Sequence, residues 1–306
     1  RENTIKKADT VAALDQELIE NFRHEYDRLA ETLGLFNLDT VAAGTALYQY
    51  AVAGELDDSE PDASAPEKGS SGTGYTEGDF IKRSHYTVTR NPIGDVEFVP
   101  YAKQTTAQAI LKGGFENAVS RTDKKAVQQM RAAIMAKFFK FLANGTTVAD
   151  PDEGTTWNLQ QMLAFNEAAL LDALEANDDE GGTIVHFVNR QDAYGYLADQ
   201  TVSTQDMFGM TYIQNFLGVQ NVMLTNKVNK GTCFATPSDN IHVFGIDFGT
   251  LADTGLAYES DDLGLIGVAH SASYDYASAE TYLVRSANFI PEVTDFIAKG
   301  FMAHQA

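Results

Sequence analysis

The chain lacks much of what would point to a chemical function. Its 306 residues include one cysteine, Cys233, one tryptophan and seven prolines. A single thiol excludes a disulfide scaffold and a cysteine-based zinc cluster. No apolar run approaches the ~20 residues that a helix needs to cross a bilayer, so no membrane partner is expected. No apolar stretch opens the chain as a secretory signal would, and a soluble protein of a reducing compartment is expected. Positive charge is scarce, with 22 Lys+Arg against 43 Asp+Glu and a net charge of −21. That balance disfavours sequence-reading binding to DNA, because neutralisation of phosphate by Lys and Arg supplies most of such affinity.

Catalytic patterns are missing as well. His24, His85, His186, His242, His270 and His304 are scattered, with no pair at metal-ligand spacing. The glycine-rich stretch at 69–74 lacks the Lys-Ser/Thr that would make it a phosphate loop. Asp247-Phe248-Gly249 spells a kinase magnesium motif without the motifs that should precede it, and reads as a strand-to-turn transition. Cys233 lies in an apolar strand pattern, where a buried, inert thiol is expected. The runs Asp178-Asp179-Glu180 and Asp261-Asp262 match no calcium loop and read as solvated turns. No catalytic residue, metal site or cofactor is expected, and the chain reads as not an enzyme.

What is present is architectural. An apolar content of 44% is enough for a substantial core. Charge is uneven: residues 1–140 carry 17 basic and 21 acidic side chains, residues 141–306 carry 5 and 22. A short polar arm with Arg1, Lys6 and Lys7 precedes an expected helix over 10–33, striped by Leu14, Leu18, Phe22, Leu29 and Leu33. Residues 44–55 read as a strand. Residues 57–74 hold only alanine as apolar residues and two prolines, so they cannot pack a core and form an expected flexible tip. Strand-like sequence returns, with Asn91–Gly94 expected as a turn by residue type. Residues 44–103 thus read as a long β-hairpin. Two strands alone are marginal in water, so such a hairpin needs a partner surface.

Thr105 and Thr106 can cap a short helix that Gly113-Gly114 ends. Ser120 and Asp123 have capping-box spacing before a helix over 121–143. Its expected apolar face is Val127, Ile134, Phe138 and Phe141, with Met130 and Leu142 beside it. Its flank is cationic, with Arg121, Lys124, Lys125, Arg131, Lys137 and Lys140 against Asp123 alone. After about 150 the elements shorten. A helix is expected near 157–175, with Leu159, Leu163, Leu170, Leu171 and Leu174, and strands at 183–188, in VQNVML, CFA and IHVFGIDF, and over 280–293. The class is α+β, with no repeat and no regular βαβ rhythm.

RENTIKKA at 1–8, YTEGDFI at 75–81 and KQTTAQAILKGGFENAVSRTDKKAVQQMRAAIMAKFFKFLANGT at 103–146 resemble tailed-phage major capsid proteins of the Hong Kong ninety-seven type, the Johnson fold. The likeness is to capsid proteins of phages of Gram-positive bacteria. The resemblance implies an N-terminal arm and helix at 1–43 and an extended loop at 44–103 lying over a neighbouring subunit. It further implies a peripheral domain at 104–154 and 276–306 with spine helix 121–143, and an axial domain at 155–275. Some relatives crosslink the loop, and Lys82 lies in the right segment.

The expected function is structural. Pentamers and hexamers of the chain would form an icosahedral shell around packaged double-stranded DNA, in a virion assembled in the host cytoplasm. Scaffold, portal and decoration or neck proteins are the implied partners, and DNA would be held without sequence recognition. Expected contacts between subunits are Leu47, Tyr48, Tyr50, Phe80, Ile81, Lys82, Arg83, Tyr86 and Val88. Expected cations facing the interior, DNA or a neighbour are Arg1, Lys6, Lys7, Arg121, Lys124, Lys125 and Arg131, with ion pairs inside the subunit as the alternative. An encapsulin-like compartment shell and a soluble acidic enzyme are the rival readings.

Overall fold

A computed structural model describes residues 33–54, 84–179, 181–199, 212–216, 219–253, 255–260 and 264–305, with backbone only at 197–199, 212–216 and 219–220. The expected 10–33 helix, apart from Leu33, and the 57–74 tip lie outside these residues. Strands β1 (Asn37–Ala42), β2 (Ala46–Ala53), β3 (Thr87–Asp95) and β4 (Val99–Thr106) come first. Helices α1 (Ala107–Gly113) and α2 (Arg121–Leu142) follow, joined through a π-turn at Glu116–Ser120. Then come β5 (Thr147–Ala149), α3 (Leu159–Ala176), β6 (Ile184–Asn189), α4 (Arg190–Asp199), β7 (Tyr212–Phe216), β8 (Val219–Thr225), β9 (Thr232–Pro237) and β10 (Ile241–Asp247). The short helix α5 (Phe248–Ala252) precedes β11 (Glu259–Ser260), β12 (Ile266–Ser273), β13 (Ser278–Arg285), β14 (Asn288–Pro291) and β15 (Ala298–Phe301).

Residues 46–94 form one compact unit, and residues up to 45 with those from 95 onward form the other. The first is the β2–β3 ribbon. The second contains a six-stranded sheet β5-β15-β9-β6-β8-β7, a four-stranded sheet β11-β12-β13-β4 and a three-stranded sheet β1-β10-β14. These sheets cross the expected domain boundaries. β12, expected in the axial segment, pairs with β13, while β5 and β15, expected in the peripheral segment, join β9 and β6. β1 was not foreseen. It is short and polar, and it is fixed by a parallel register with β10 from Asn37↔His242 to Ala42↔Asp247.

Helix α2 supplies the centre of the core. Val127, Met130, Ile134, Phe138 and Leu142 are buried along it. Phe138 meets Phe289 at 5.2 Å, Phe36 at 5.4 Å and Phe187 at 5.7 Å between ring centroids. Tilted and edge-on geometries of this kind add to the burial of the rings themselves. Phe141, expected on the inner face, is only half-buried and rests on Phe289. The start of α2 also differs from expectation. Ser120 has helical dihedrals and makes no side-chain cap, because the π-turn feeds directly into the helix.

Asn144-Gly145 ends α2, as its residue types predict. The second reason for glycine is close approach, since a Cβ at Gly145 would lie 2.3 Å from the Ile297 carbonyl oxygen. Gly145→Ala should therefore cost about 1–3 kcal/mol, read as a lower urea midpoint at unchanged slope.

α3 begins with a complete capping box between Asn158 and Gln161. It buries Leu159, Met162, Leu163, Leu170 and Leu174, but Leu171 is 49% exposed and points outward. In the six-stranded sheet, His186 is fully buried, and neither ring nitrogen has a hydrogen-bond partner among the described residues. Burial lowers its pKa from 6.5 to about 4, because the site disfavours the charged ring. The unfolded chain therefore takes up a proton before the folded one does. Stability is complete above about pH 6.5 and falls as pH drops from there through 4, by about 3 kcal/mol in all. Urea midpoints measured from pH 7 to pH 4 check this, and His186→Phe should remove part of the slope.

Candidate assembly interface

In the ribbon, alternation puts Tyr48, Tyr50 and Val52 of β2 on one face. The Arg90 guanidinium of β3 sits 3.3 Å from the centre of the Tyr48 ring, so Val88 and Arg90 share that face. Every residue of β3 is exposed. Tyr50, Val52, Tyr86 and Val88 are each more than half exposed. Of the expected contacts, Tyr50, Tyr86 and Val88 are exposed, while Tyr48 is half-buried. Leu47 is the exception. It is already buried within the single chain at 5% exposure, so it does not offer a free surface. Phe80, Ile81, Lys82 and Arg83 lie outside the described residues. The expected turn at Asn91–Gly94 is instead part of β3. In a two-stranded ribbon each strand keeps one unpaired edge, which tolerates Pro92. Ile93, also exposed, was missed because a single apolar residue among turn-type residues carries no periodic signal, whereas Val52 continues the alternation of Tyr48 and Tyr50 and was legible.

The other unit carries a charged node between α2 and the four-stranded sheet. Asp123, the acid expected to cap α2, is 1% exposed and faces the sheet. It accepts from Thr281 Oγ1 at 3.0 Å and from the Lys103 ammonium, and its Oδ2 lies 3.2 Å from His270 Nε2. Lys103 also donates to the Val119 carbonyl at 3.2 Å. Burial alone would raise the Asp123 pKa, but the hydrogen bonds from His270, Lys103 and Thr281 outweigh it and hold the carboxylate below its usual range. A second node joins β13 and α2 to Glu97. Lys137 pairs with Glu97 and donates to the Ala287 carbonyl at 2.6 Å, and Arg285 Nη2 reaches Glu97 Oε1 at 3.0 Å.

These nodes sort the cationic flank. Lys137 is used inside the chain. Arg131 is buried at 6% exposure, which removes it from the set of outward cations. The sequence spacing held the clue: Arg131 lies four residues after Val127 and three before Ile134, on the apolar stripe itself. Lys124 is half-buried, while Arg121 and Lys125 are exposed. Arg1, Lys6 and Lys7 lie outside the described residues. Arg121 and Lys125 stand beside a cleft of about 480 Å³, also lined by Tyr101, Lys103, Met130 and Leu283.

Among the described residues no cluster of His, Cys, Asp or Glu could hold a metal ion. Asp247 caps α5 by accepting from the Gly249 N–H at 2.9 Å, the turn role its sequence suggested. Burial pushes the Cys233 thiol up to about 12, so it stays protonated and inert.

No protein-family model and no curated protein sequence matches the chain. Solved structures do. The capsid of the cyanophage P-SCSP1u matches at 9% identity and a TM-score of 0.57, over 89% of this chain and 87% of that one. The capsid of a native GTA particle matches at 10% and 0.54, over 90% and 91%. The fold is the Johnson fold. An encapsulin from Synechococcus elongatus shares it at 11% and 0.51, over 89% and 87%. At these identities it is the backbone plan that is common. Among the described residues, the ribbon's apolar face and the Arg121 and Lys125 rim of the cleft are exposed.

Proposed function

We propose that this chain is the major capsid protein of a tailed-phage-type head, not an enzyme. Copies assemble through pentamers and hexamers into an icosahedral shell around packaged double-stranded DNA, in a virion built in the host cytoplasm. The carrying observation is that the chain aligns with shell proteins over about nine-tenths of both lengths. In that reading the β2–β3 ribbon is the extended loop and α2 the spine helix. The peripheral domain gathers β4, β12 and β13, and the axial domain gathers the six-stranded sheet with α3. Scaffold, portal and decoration or neck proteins complete the partner set. The acidic 141–306 portion supports a wall that DNA slides past, since like charges repel.

The encapsulin match supports a second reading, a cargo compartment. Negative-stain microscopy of the expressed chain should show closed hollow particles of uniform diameter. Small oligomers alone would overturn both shell readings. Mass spectrometry and nuclease-protected DNA content of native particles then separate a DNA-filled head from an enzyme-filled compartment.

A further inference from the structure

We propose that the cleft beside α2 binds a single-tailed anionic amphiphile, a medium-chain fatty carboxylate, on the individual subunit. The inference rests on the cleft and not on the shell reading. Helix α2 forms one wall, where Arg121, Lys125, Gln129 and Ala133 recur every four residues and so line one strip of the helix. Strands β4 and β13 form the other wall. Their Tyr101 and Leu283 are direct partners in the register, so both side chains lie on the same face of the sheet. A volume of about 480 Å³ is in the range of small-ligand pockets.

The cleft is itself amphipathic along its length. From Arg121 to Ala133 the helix rises about 18 Å. On α2, charge occupies only the first part of that rise, at Arg121 and Lys125, and Met130 and Ala133 lie beyond it. No acidic side chain lines the cleft, in a chain with 43 Asp+Glu against 22 Lys+Arg. Lys103, the third lining cation, is already matched by Asp123 and the Val119 carbonyl. Arg121 and Lys125 are exposed, and neither side chain has an ion-pair partner among the described residues. Two unmatched cations at one end and an apolar floor beyond them call for one anionic head and one apolar tail. The head is a carboxylate. Its two oxygens suit a bidentate guanidinium with an ammonium beside it. A phosphate needs further donors, and the Arg121 backbone N–H at this end of α2 already donates to the Glu116 carbonyl.

The test is calorimetric titration of decanoate into the full-length chain, held as single subunits at low salt, where surface charges are least screened. One saturable site is expected. From hexanoate to decanoate the affinity should rise by about two- to fourfold per methylene, because each added group leaves water for the floor. Arg121→Gln with Lys125→Gln should lower decanoate affinity about tenfold and leave decanol unchanged. Decyltrimethylammonium should show no saturable binding. The place is read from the methionine methyl spectrum, in which the Met130 signal, identified by its loss in Met130→Leu, should shift on saturation. That replacement conserves volume and is tolerated in a core. The proposal is overturned by an affinity that ignores tail length, by equal binding of the cationic amphiphile, or by a Met130 signal that does not move at saturation. Unchanged decanoate affinity in the folded double variant overturns it too, as does a tenfold preference for decyl phosphate. Subunits that bind decanoate and form no shells overturn the shell reading alone, and shells from a chain that binds none overturn the ligand site alone.

Discussion

A chain in which residues 46–94 are replaced by a short glycine linker should fold and yet form no closed particles. The junction is available: the Val96 N–H donates to the Thr45 carbonyl at 3.4 Å, so the two cut ends already lie side by side. The core clusters built on α2, α3 and the sheets lie in the unit that remains. The ribbon instead keeps Tyr50, Val52, Tyr86 and Val88 more than half exposed in the single chain. Covering an aliphatic or aromatic side chain fully is worth about 1.5–3 kcal/mol. Losing several such contacts at every subunit removes far more than the few kcal/mol that separate assembled from dissolved copies. The expected readout is a circular dichroism spectrum that keeps the helical signal of α2 and α3, and a cooperative unfolding transition, with particles reduced below detection by microscopy. Particles of ordinary size from this chain would show that the ribbon is not an assembly element. A milder variant, Tyr50→Ser with Val88→Ser, should lower particle yield while leaving the fold intact, since both side chains point to water before assembly.

The second large effect is expected at Asp123. Asp123→Ala removes the carboxylate that faces the Lys103 ammonium, His270 and the Thr281 hydroxyl. A cation left in a buried setting without its counter-charge costs about 3–5 kcal/mol. Thermal or urea unfolding of unassembled subunits measures it. Adding Lys103→Met to Asp123→Leu should recover much of the loss, because a buried pair replaced by apolar groups of like size is often neutral. If the single and the double variant lose equally, the node acts by shape and not by charge. The pH dependence has a definite sign. The lowered pKa of Asp123 means that its contribution is complete above the usual carboxylate range and is lost only as pH falls below it. Acid loss between pH 6.5 and 4 should therefore track His186 and leave the Asp123 node intact.

The two nodes also explain where the sequence was readable. Periodicity placed α2 and α3 and most of their inner residues, because a helix that packs on a sheet must keep one apolar stripe. Phe138, Ile134, Leu163 and Leu170 follow directly from that rule. Arg131 broke it, since a cation at a stripe position was assigned to the outer flank by its charge and not by its place. Asp123 misled in the opposite way. Its spacing from Ser120 matches a capping box, but the π-turn at Glu116–Ser120 already supplies helical backbone before α2, and the acid is spent on the sheet. Leu171 is as apolar as its neighbours, yet α3 buries only one face and Leu171 falls outside it. At Asn91–Gly94, turn-type residues occur inside a strand, because a solvated ribbon asks little of its outer edge.

The sequence by itself determined the α+β class, the helices α2 and α3, the buried cysteine and the uneven charge. These depend on composition and on contacts close along the chain, where spacing is informative. Only the tertiary structure decided which strands share a sheet. β4 pairs with β13 about 180 residues later, β1 runs parallel to β10, and β15 returns to lie between β5 and β9. Strand pairing is set by long-range register, which no local pattern encodes. The same long-range packing turned Asp123 from a cap into a buried anchor. It also left Arg121 and Lys125 as the cations at the rim of an open cleft.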